Sequence, residues 1–134
     1  MIFVKAVLAG VALALSSAAI IWLGNMSYPY EIHAMLLSSI GAIYVGFGLL
    51  DSSPKNTALE VIIAALFFCI AITGYLVSPV ITGVGFLMHG IWDFLHHPKL
   101  VTTVVPKWYP PFCAIYDWVL AACFFCSFFL KYNL

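Results

Sequence analysis

The chain alternates between long apolar runs and short breaks that contain proline or polar residues. Five runs are roughly 20 residues long, which is the length an α-helix needs to cross the hydrocarbon core of a bilayer. They cover about residues 2–23, 31–50, 57–77, 80–97 and 111–130. The pattern predicts an all-α integral membrane bundle of five transmembrane helices, or of four if the first or the fourth segment is not a full span.

Composition strengthens this prediction and excludes one class of partner. The chain is 65% hydrophobic and 7% charged, with a mean hydropathy of +1.12. A small soluble domain must cover itself with polar side chains, so we predict a single transmembrane domain over residues 1–134. The net charge is zero and arginine is absent, which leaves nucleic-acid binding without an electrostatic basis. Membrane lipid is the expected surrounding, and partner membrane subunits or a homo-oligomer remain open.

Small residues recur every fourth position in the first two segments. Such stripes let another helix approach closely. We therefore predict that spans one and two pack together. The two stripes consist of Ala6, Gly10, Ala14 and Ala18, and of Ala34, Ser38, Ala42 and Gly46.

Lysine placement predicts the orientation in the membrane. With five spans, the N-terminus and the second and fourth connections share one side, and only Lys131 lies on the other. The lysines of the first side are Lys5, Lys55, Lys99 and Lys107. By the positive-inside rule, the N-terminus is predicted to be cytoplasmic and the C-terminus to lie on the opposite side.

The fourth segment carries three of the four histidines beside one of the five acids. His89, Asp93, His96 and His97 are spaced at i, i+4, i+7 and i+8, so on a helix they share an arc of roughly 100°. Neutral imidazole and carboxylate are ligands that zinc, iron, copper and manganese accept. We predict a metal site formed by these four residues, with zinc or iron as the most expected cofactor.

Asp117 in the last segment is the predicted partner of this stripe. Counting inward from the lysine-rich face, Asp93 lies about 6 Å deep, Asp117 about 9 Å and His89 about 12 Å. Ionisable side chains inside a membrane usually face a protein interior, so these three should face one another. Asp117 and Asp93 are the catalytic candidates. Asp117 would be a ligand or general base, and Asp93 a ligand or the group that orients a ligating histidine.

Three further ionisable residues are weaker candidates. Glu60, about 5 Å deep, belongs to the same layer as Asp93. Glu31 and His33 lie at the other end of span two, more than about 10 Å from His89 along the membrane normal. We expect these two residues to stay outside the site unless span two is bent.

Two other classes of function remain open beside a metal-dependent enzyme that acts on a lipid or hydrophobic substrate. In a non-catalytic accessory subunit, the His/Asp cluster would only fix helix packing. In a proton or ion relay, a polar column would run from Asp51 or His97 to Glu31 and His33.

The Cys123-Phe-Phe-Cys126 spacing resembles that of membrane quinone-linked disulfide oxidoreductases, but the second cysteine pair those enzymes need in an outer loop is missing.

Two stretches together support a resemblance over most of the chain. They are His89-Gly-Ile-Trp-Asp-Phe-Leu-His96-His97 and Phe112-Cys113-Ala-Ile-Tyr-Asp117. The chain resembles a group of small multi-span integral membrane proteins of uncharacterised function that carry a His-Gly-x-Trp-Asp-x-x-His-His stretch. The resemblance implies a multi-span membrane fold and no particular activity.

Overall fold

The described residues form five α-helices, in the order the apolar pattern predicts. The computed structural model describes residues 1–24 and 27–133, and within these ranges no strand occurs. The prediction of an all-helical architecture is confirmed. The helices are α1 (Ile2–Leu23), α2 (Pro29–Leu50), α3 (Pro54–Leu76), α4 (Pro79–His96) and α5 (Tyr109–Asn133).

Three of the helices begin with a proline. Pro29, Pro54 and Pro79 are the first residues of α2, α3 and α4. Proline suits this position because its missing N–H would have no partner inside the helix and its fixed φ already matches the helix. For this reason α2 and α3 begin slightly earlier than residues 31 and 57, where the apolar runs start.

Four of the five helices are long and apolar enough to cross a membrane: α1, α2, α3 and α5 up to Lys131. The exception is α4, which has 18 residues and would extend about 27 Å. It also carries His89, Asp93 and His96. By length and composition, four helices therefore qualify as candidate spans, and they fit a multi-pass membrane protein.

The polar face of α4 lies inside the bundle, against α5, α3 and α2. Glycines on that face allow the close approach. A Cβ atom added at Gly90 would collide with the indole of Trp118, and one at Gly83 would meet the ring of Phe124 at 2.8 Å. The Trp118 indole also donates to the carbonyl of Leu87 at 3.3 Å. These contacts bring the polar face of α4 against α5.

The small-residue stripe of α1 packs on α5, so the predicted pairing of spans one and two is wrong. Ala6, Gly10, Ala14 and Ala18 are all buried, and α1 barely touches α2. A Cβ atom at Gly10 would lie 2.5 Å from the carbonyl oxygen of Phe112 in α5. A stripe of small residues indicates how closely a helix can be approached, but it does not identify the helix that approaches.

Helix α2 packs on α3 through glycines that its own stripe did not include. Gly41 faces Phe67 and Gly48 faces Thr57 of α3. Two members of the predicted stripe, Ala42 and Gly46, are exposed, and no atom lies within 4 Å of a Cβ built at Gly46. The packing surface of α2 is thus rotated away from the predicted one.

These two environments give a matched pair of substitutions. Gly10→Ala is expected to destabilise the protein by about 1–3 kcal/mol, because the clash is with backbone that cannot move independently. Gly46→Ala is expected to be neutral or to stabilise by up to about 1 kcal/mol, because alanine favours the helix and meets nothing. Thermal unfolding of both variants in the same detergent measures the difference, and equal midpoints would contradict the close α1–α5 contact.

Residues 97–108 connect α4 to α5 and fold back over the end of the bundle. The turn after α4 closes with two backbone bonds, from Lys99 N to His96 O at 3.1 Å and from Leu100 N to Leu95 O at 3.0 Å. Tyr109, the first residue of α5, is only 6% exposed and packs in the core.

Candidate metal centre

Two helix faces bring four potential metal ligands together. His89 and Asp93 are one turn apart on α4, and Cys113 and Asp117 are one turn apart on α5, so each pair shares a face. All four side chains are buried, and one ligand atom from each lies within 4.8 Å of all the others. The close α4–α5 packing therefore creates a compact His/Asp/Cys cluster.

One imidazole nitrogen faces both carboxylates. His89 Nδ1 lies 2.6 Å from Asp117 Oδ2 and 3.3 Å from Asp93 Oδ2. With Asp117 ionised, Nδ1 carries the hydrogen and donates it to Oδ2, which fixes the plane of the ring. If Nδ1 gave up that hydrogen, it could serve with the two carboxylates as a donor atom for one ion.

Several polar atoms of this cluster are buried without a hydrogen-bond partner in the described structure. They are His89 Nε2, Asp93 Oδ1 and Oδ2, and Asp117 Oδ1. The Tyr44 hydroxyl lies beside Asp93 but makes no hydrogen bond of good geometry to it. Buried polar groups are nearly always paired, so these atoms need a further partner.

Charge gives the same requirement. His89, Asp93 and Asp117 are 0% exposed. Two carboxylates beside a neutral imidazole would carry two negative charges, and an uncompensated charge in a low-dielectric interior costs several kcal/mol or more. The cluster becomes neutral either by holding two protons or by binding one divalent cation.

Aromatic rings enclose the cluster. The edge of Phe67 lies against His89 with ring centroids 4.7 Å apart, and Tyr44 lies 6.0 Å away on another side. The thiol of Cys113 donates to the hydroxyl of Tyr109 at 3.7 Å. The thiol therefore already has a partner, whereas neither oxygen of Asp93 has a hydrogen-bond partner in the described structure.

A second buried polar cluster lies one layer closer to the lysine-rich end. His96 Nδ1 donates to the carbonyl of Trp92 at 3.0 Å, which leaves Nε2 facing Glu60 Oε1 at 3.1 Å. The Thr103 hydroxyl donates to the same Glu60 oxygen at 2.6 Å. Because Nδ1 must hold a hydrogen to reach a carbonyl, His96 and Glu60 share one proton between Nε2 and Oε1.

Tyr44 lies between the two clusters. Its ring stacks on His96 with centroids 4.4 Å apart and an interplanar angle of 29°. His96 is therefore paired with Glu60 and does not belong to the cluster around His89. His97 also lies outside: it is exposed, and its ring contacts that of Phe3 at 5.7 Å.

The remaining candidates lie elsewhere. His33 is buried, its Nδ1 donates to the Pro29 carbonyl at 2.6 Å, and its ring packs against Phe124 and Phe86. Phe86 separates His33 from the cluster along the inner face of α4, which interrupts the polar column that a relay would need. Glu31 is half-buried and lines a groove between α2 and α3.

Asp51 closes the α2–α3 turn. Its carboxylate accepts from the Asn56 amide at 2.7 Å and from the backbone N–H groups of Val104 and Ser53 at 3.2 and 3.3 Å. The Asn56 amide, with these N–H groups, holds the pKa of Asp51 below its usual range. Asp51 is therefore a structural link between the turn and the loop of residues 97–108.

The structure brings together three of the predicted site residues, His89, Asp93 and Asp117, and adds two that sequence reasoning left out. Neither Cys113 nor Tyr44 was among the predicted site residues. The Cys113-x-x-x-Asp117 spacing places both side chains on one face of α5 and could have indicated Cys113. Nothing in the sequence around Tyr44 distinguishes it from other interfacial or core tyrosines.

The chain belongs to a family of unknown function, DUF6010, whose model matches residues 1–128. No curated protein matches the chain. No solved structure matches it either.

Proposed function

We propose that this DUF6010 protein is a membrane metal-binding protein whose ion is held by His89, Asp93 and Asp117. One observation carries the proposal: fully buried carboxylate and imidazole atoms converge from two helices, and several of them lack partners. A cluster that served helix packing alone, as in an accessory subunit, would be expected to satisfy its own hydrogen bonds.

The donor set fits a transition metal. One imidazole and two carboxylates suit zinc or iron, and three protein ligands leave a coordination position free, as in catalytic zinc sites. Charge favours the same three ligands, because two carboxylates balance one divalent ion, whereas a Cys113 thiolate would add an uncompensated negative charge. Cys113 is therefore assigned as a neutral neighbour that donates to Tyr109.

A bound zinc or iron ion would supply a Lewis acid. An enzyme of this kind would act on a lipid or other hydrophobic substrate, since the cluster lies among apolar helices. In that case Asp117 is the candidate general base, through the carboxylate oxygen that the ion does not occupy, and Asp93 remains a ligand. A non-catalytic accessory subunit is the alternative function.

Metal analysis tests the proposal. The full chain, purified in detergent, washed with chelator and incubated with zinc or ferrous iron, is expected to retain about one ion per molecule by elemental mass spectrometry. His89→Ala and Asp117→Asn each remove a ligand and are expected to lower the retained metal at least tenfold, since even partners of ligands change affinity 10- to 100-fold.

His97→Ala is the matched control, because it removes an exposed histidine of the same stretch that touches Phe3 and none of the ligands. This variant should retain the wild-type amount. Wild-type protein that is folded by circular dichroism but retains no metal would refute the proposal and favour the accessory role. Equal loss in His97→Ala would show that the metal binds the surface.

We also propose that α4 crosses the bilayer together with the other four helices, so that the face carrying four lysines is cytoplasmic and the C-terminus lies on the opposite side. The basis is the distribution of Lys5, Lys55, Lys99 and Lys107 against Lys131. Proteolysis of a C-terminal tag in sealed, right-side-out vesicles distinguishes the two orientations, and a protected tag would contradict this one.

A further inference from the structure

A cavity of about 440 Å³ opens at the lysine-rich end, between the end of α4 and the loop of residues 97–108. This volume lies within the range of small-molecule pockets. Among the described residues, its lining combines an apolar wall with cationic or titratable groups and contains no acid. The wall comes from Val101, Val104 and Val105, and the polar groups include Lys99, Lys107 and His97.

The apolar wall is held in place from behind. The Thr102 hydroxyl donates to Asn56 Oδ1 at 2.9 Å, and the Thr103 hydroxyl donates to Glu60 Oε1 at 2.6 Å. The next residue, Val104, donates its backbone N–H to Asp51 at 3.2 Å. Three consecutive residues, 102–104, are thus bonded to the α2–α3 turn and to α3. Val104 is one of them, and Val101 and Val105 flank them, so the three valines form a fixed surface.

The cations of the cavity have no acidic partners. Within residues 1–24 and 27–133, none of the ion pairs involves Lys99 or Lys107. The two acids that bond to residues of the lining are already engaged: Asp51 accepts from Asn56 and backbone N–H groups, and Glu60 accepts from Thr103 and faces His96. The positive charge at the cavity is therefore available to an anion.

The backbone conformation at Lys99 also favours a role for its positive charge at the cavity. Among the residues that the structure describes, Lys99 is the one non-glycine residue with a positive φ, at 58°. It occupies the left-handed position that follows a helix end, where glycine is the usual residue because a side chain costs roughly 1–2 kcal/mol there. A lysine at this position places a cation in the lining of the cavity at the expense of backbone stability.

We propose that this cavity binds an anionic amphiphile, with the phosphate or carboxylate head between Lys99 and Lys107 and the first part of the apolar tail against the valine wall. The site lies beyond His96, apart from the proposed metal ligands, and the proposal does not depend on a bound ion. The proposed ligand is an anionic lipid that binds this cavity specifically, in contrast to bilayer lipids that only contact the apolar surface of the helices.

Native mass spectrometry tests the proposal on the full chain in neutral detergent. Phosphatidic acid is the probe and phosphatidylcholine the neutral reference. Wild-type protein is expected to bind one phosphatidic acid in preference to phosphatidylcholine. Each lysine near a lipid head contributes about fivefold in affinity, so the double variant Lys99→Gly, Lys107→Gln should bind about 25-fold more weakly. Glycine at position 99 also relieves the backbone, so misfolding is not expected to explain the loss.

The double variant Lys5→Gln, Lys55→Gln is the matched control, because both lysines lie toward the same end but neither lines the cavity. It should bind phosphatidic acid like wild type. An equal loss in both double variants would overturn the proposal in favour of general surface charge. Inorganic phosphate separates the two sources of the anion: displacement only at far higher concentration supports an amphiphile, and equal affinity would overturn the role of the apolar wall.

Discussion

Replacing His96 by leucine is expected to lower the free energy of unfolding by about 3–5 kcal/mol, the usual cost of removing one partner from a buried ion pair. Glu60 and His96 are 0% and 3% exposed, and their side chains meet at 3.1 Å. Without His96, Glu60 keeps only the Thr103 hydroxyl, and its Oε2 already lacks a hydrogen bond. The remaining carboxyl must become neutral or attract water into the bundle.

The double variant His96→Leu, Glu60→Leu separates the pair from its surroundings. Two apolar side chains remove the unpaired charge as well as the bond, so we expect it to recover most of the lost stability. The cycle consists of wild type, His96→Leu, Glu60→Leu and the double variant. Unfolding by a denaturing detergent, followed by circular dichroism, measures the stability of all four under one condition. If the single and double variants were equally unstable, steric packing of the imidazole on Tyr44 would be the cause instead of charge.

The helical architecture was predictable because its physical cause is local. Any run of about 20 apolar residues without charge needs an α-helix to satisfy its backbone in lipid, whatever its neighbours are. The weak point was α4, where His89, Asp93 and His96 make the segment too polar to resemble an independent span. Those residues are tolerated because the surrounding helices bury them.

Helix partners were less predictable because they depend on distant parts of the chain. The stripe around Gly10 correctly indicated close packing, but its partner is Phe112 on α5, about a hundred residues away in sequence. Periodicity of one helix contains no information about which of four other helices lies against it. The predicted pairing of adjacent spans relied only on their closeness in sequence.

The candidate site shows the same division. His89 and Asp93 are one turn apart, so their proximity follows from helix geometry, and depth alone placed Asp117 at a similar level. Depth could not show which polar residues of this layer contact one another. Glu60 and His96 form a separate pair because Thr103, on an irregular loop, reaches the same carboxylate. Loop positions of this kind have no periodic signal.

The two clusters and the cavity form three successive levels toward the lysine-rich end. The His/Asp/Cys cluster is deepest, Tyr44 separates it from the Glu60–His96 pair, and the cavity begins at His96. Tyr44 and the Glu60–His96 pair therefore lie between the cavity and the proposed metal ligands.

Metal binding to wild-type protein is expected to release about two protons per ion near neutral pH. A cluster of one imidazole and two carboxylates is neutral with two protons before binding and with one divalent ion afterwards, and a buried site strongly favours neutrality. Isothermal calorimetry in two buffers with different heats of ionisation measures this number directly, using full-length protein in one detergent.

Two variants make the count diagnostic. Asp93→Asn removes one carboxylate, so the neutral cluster holds one proton, and the release should fall to about one with much weaker binding. Cys113→Ser should leave the release at about two, because the thiol is assigned as a neutral donor to Tyr109. A release near three in wild type that falls to two in Cys113→Ser would instead make Cys113 a thiolate ligand, which would shift the expected ion toward those that prefer sulfur.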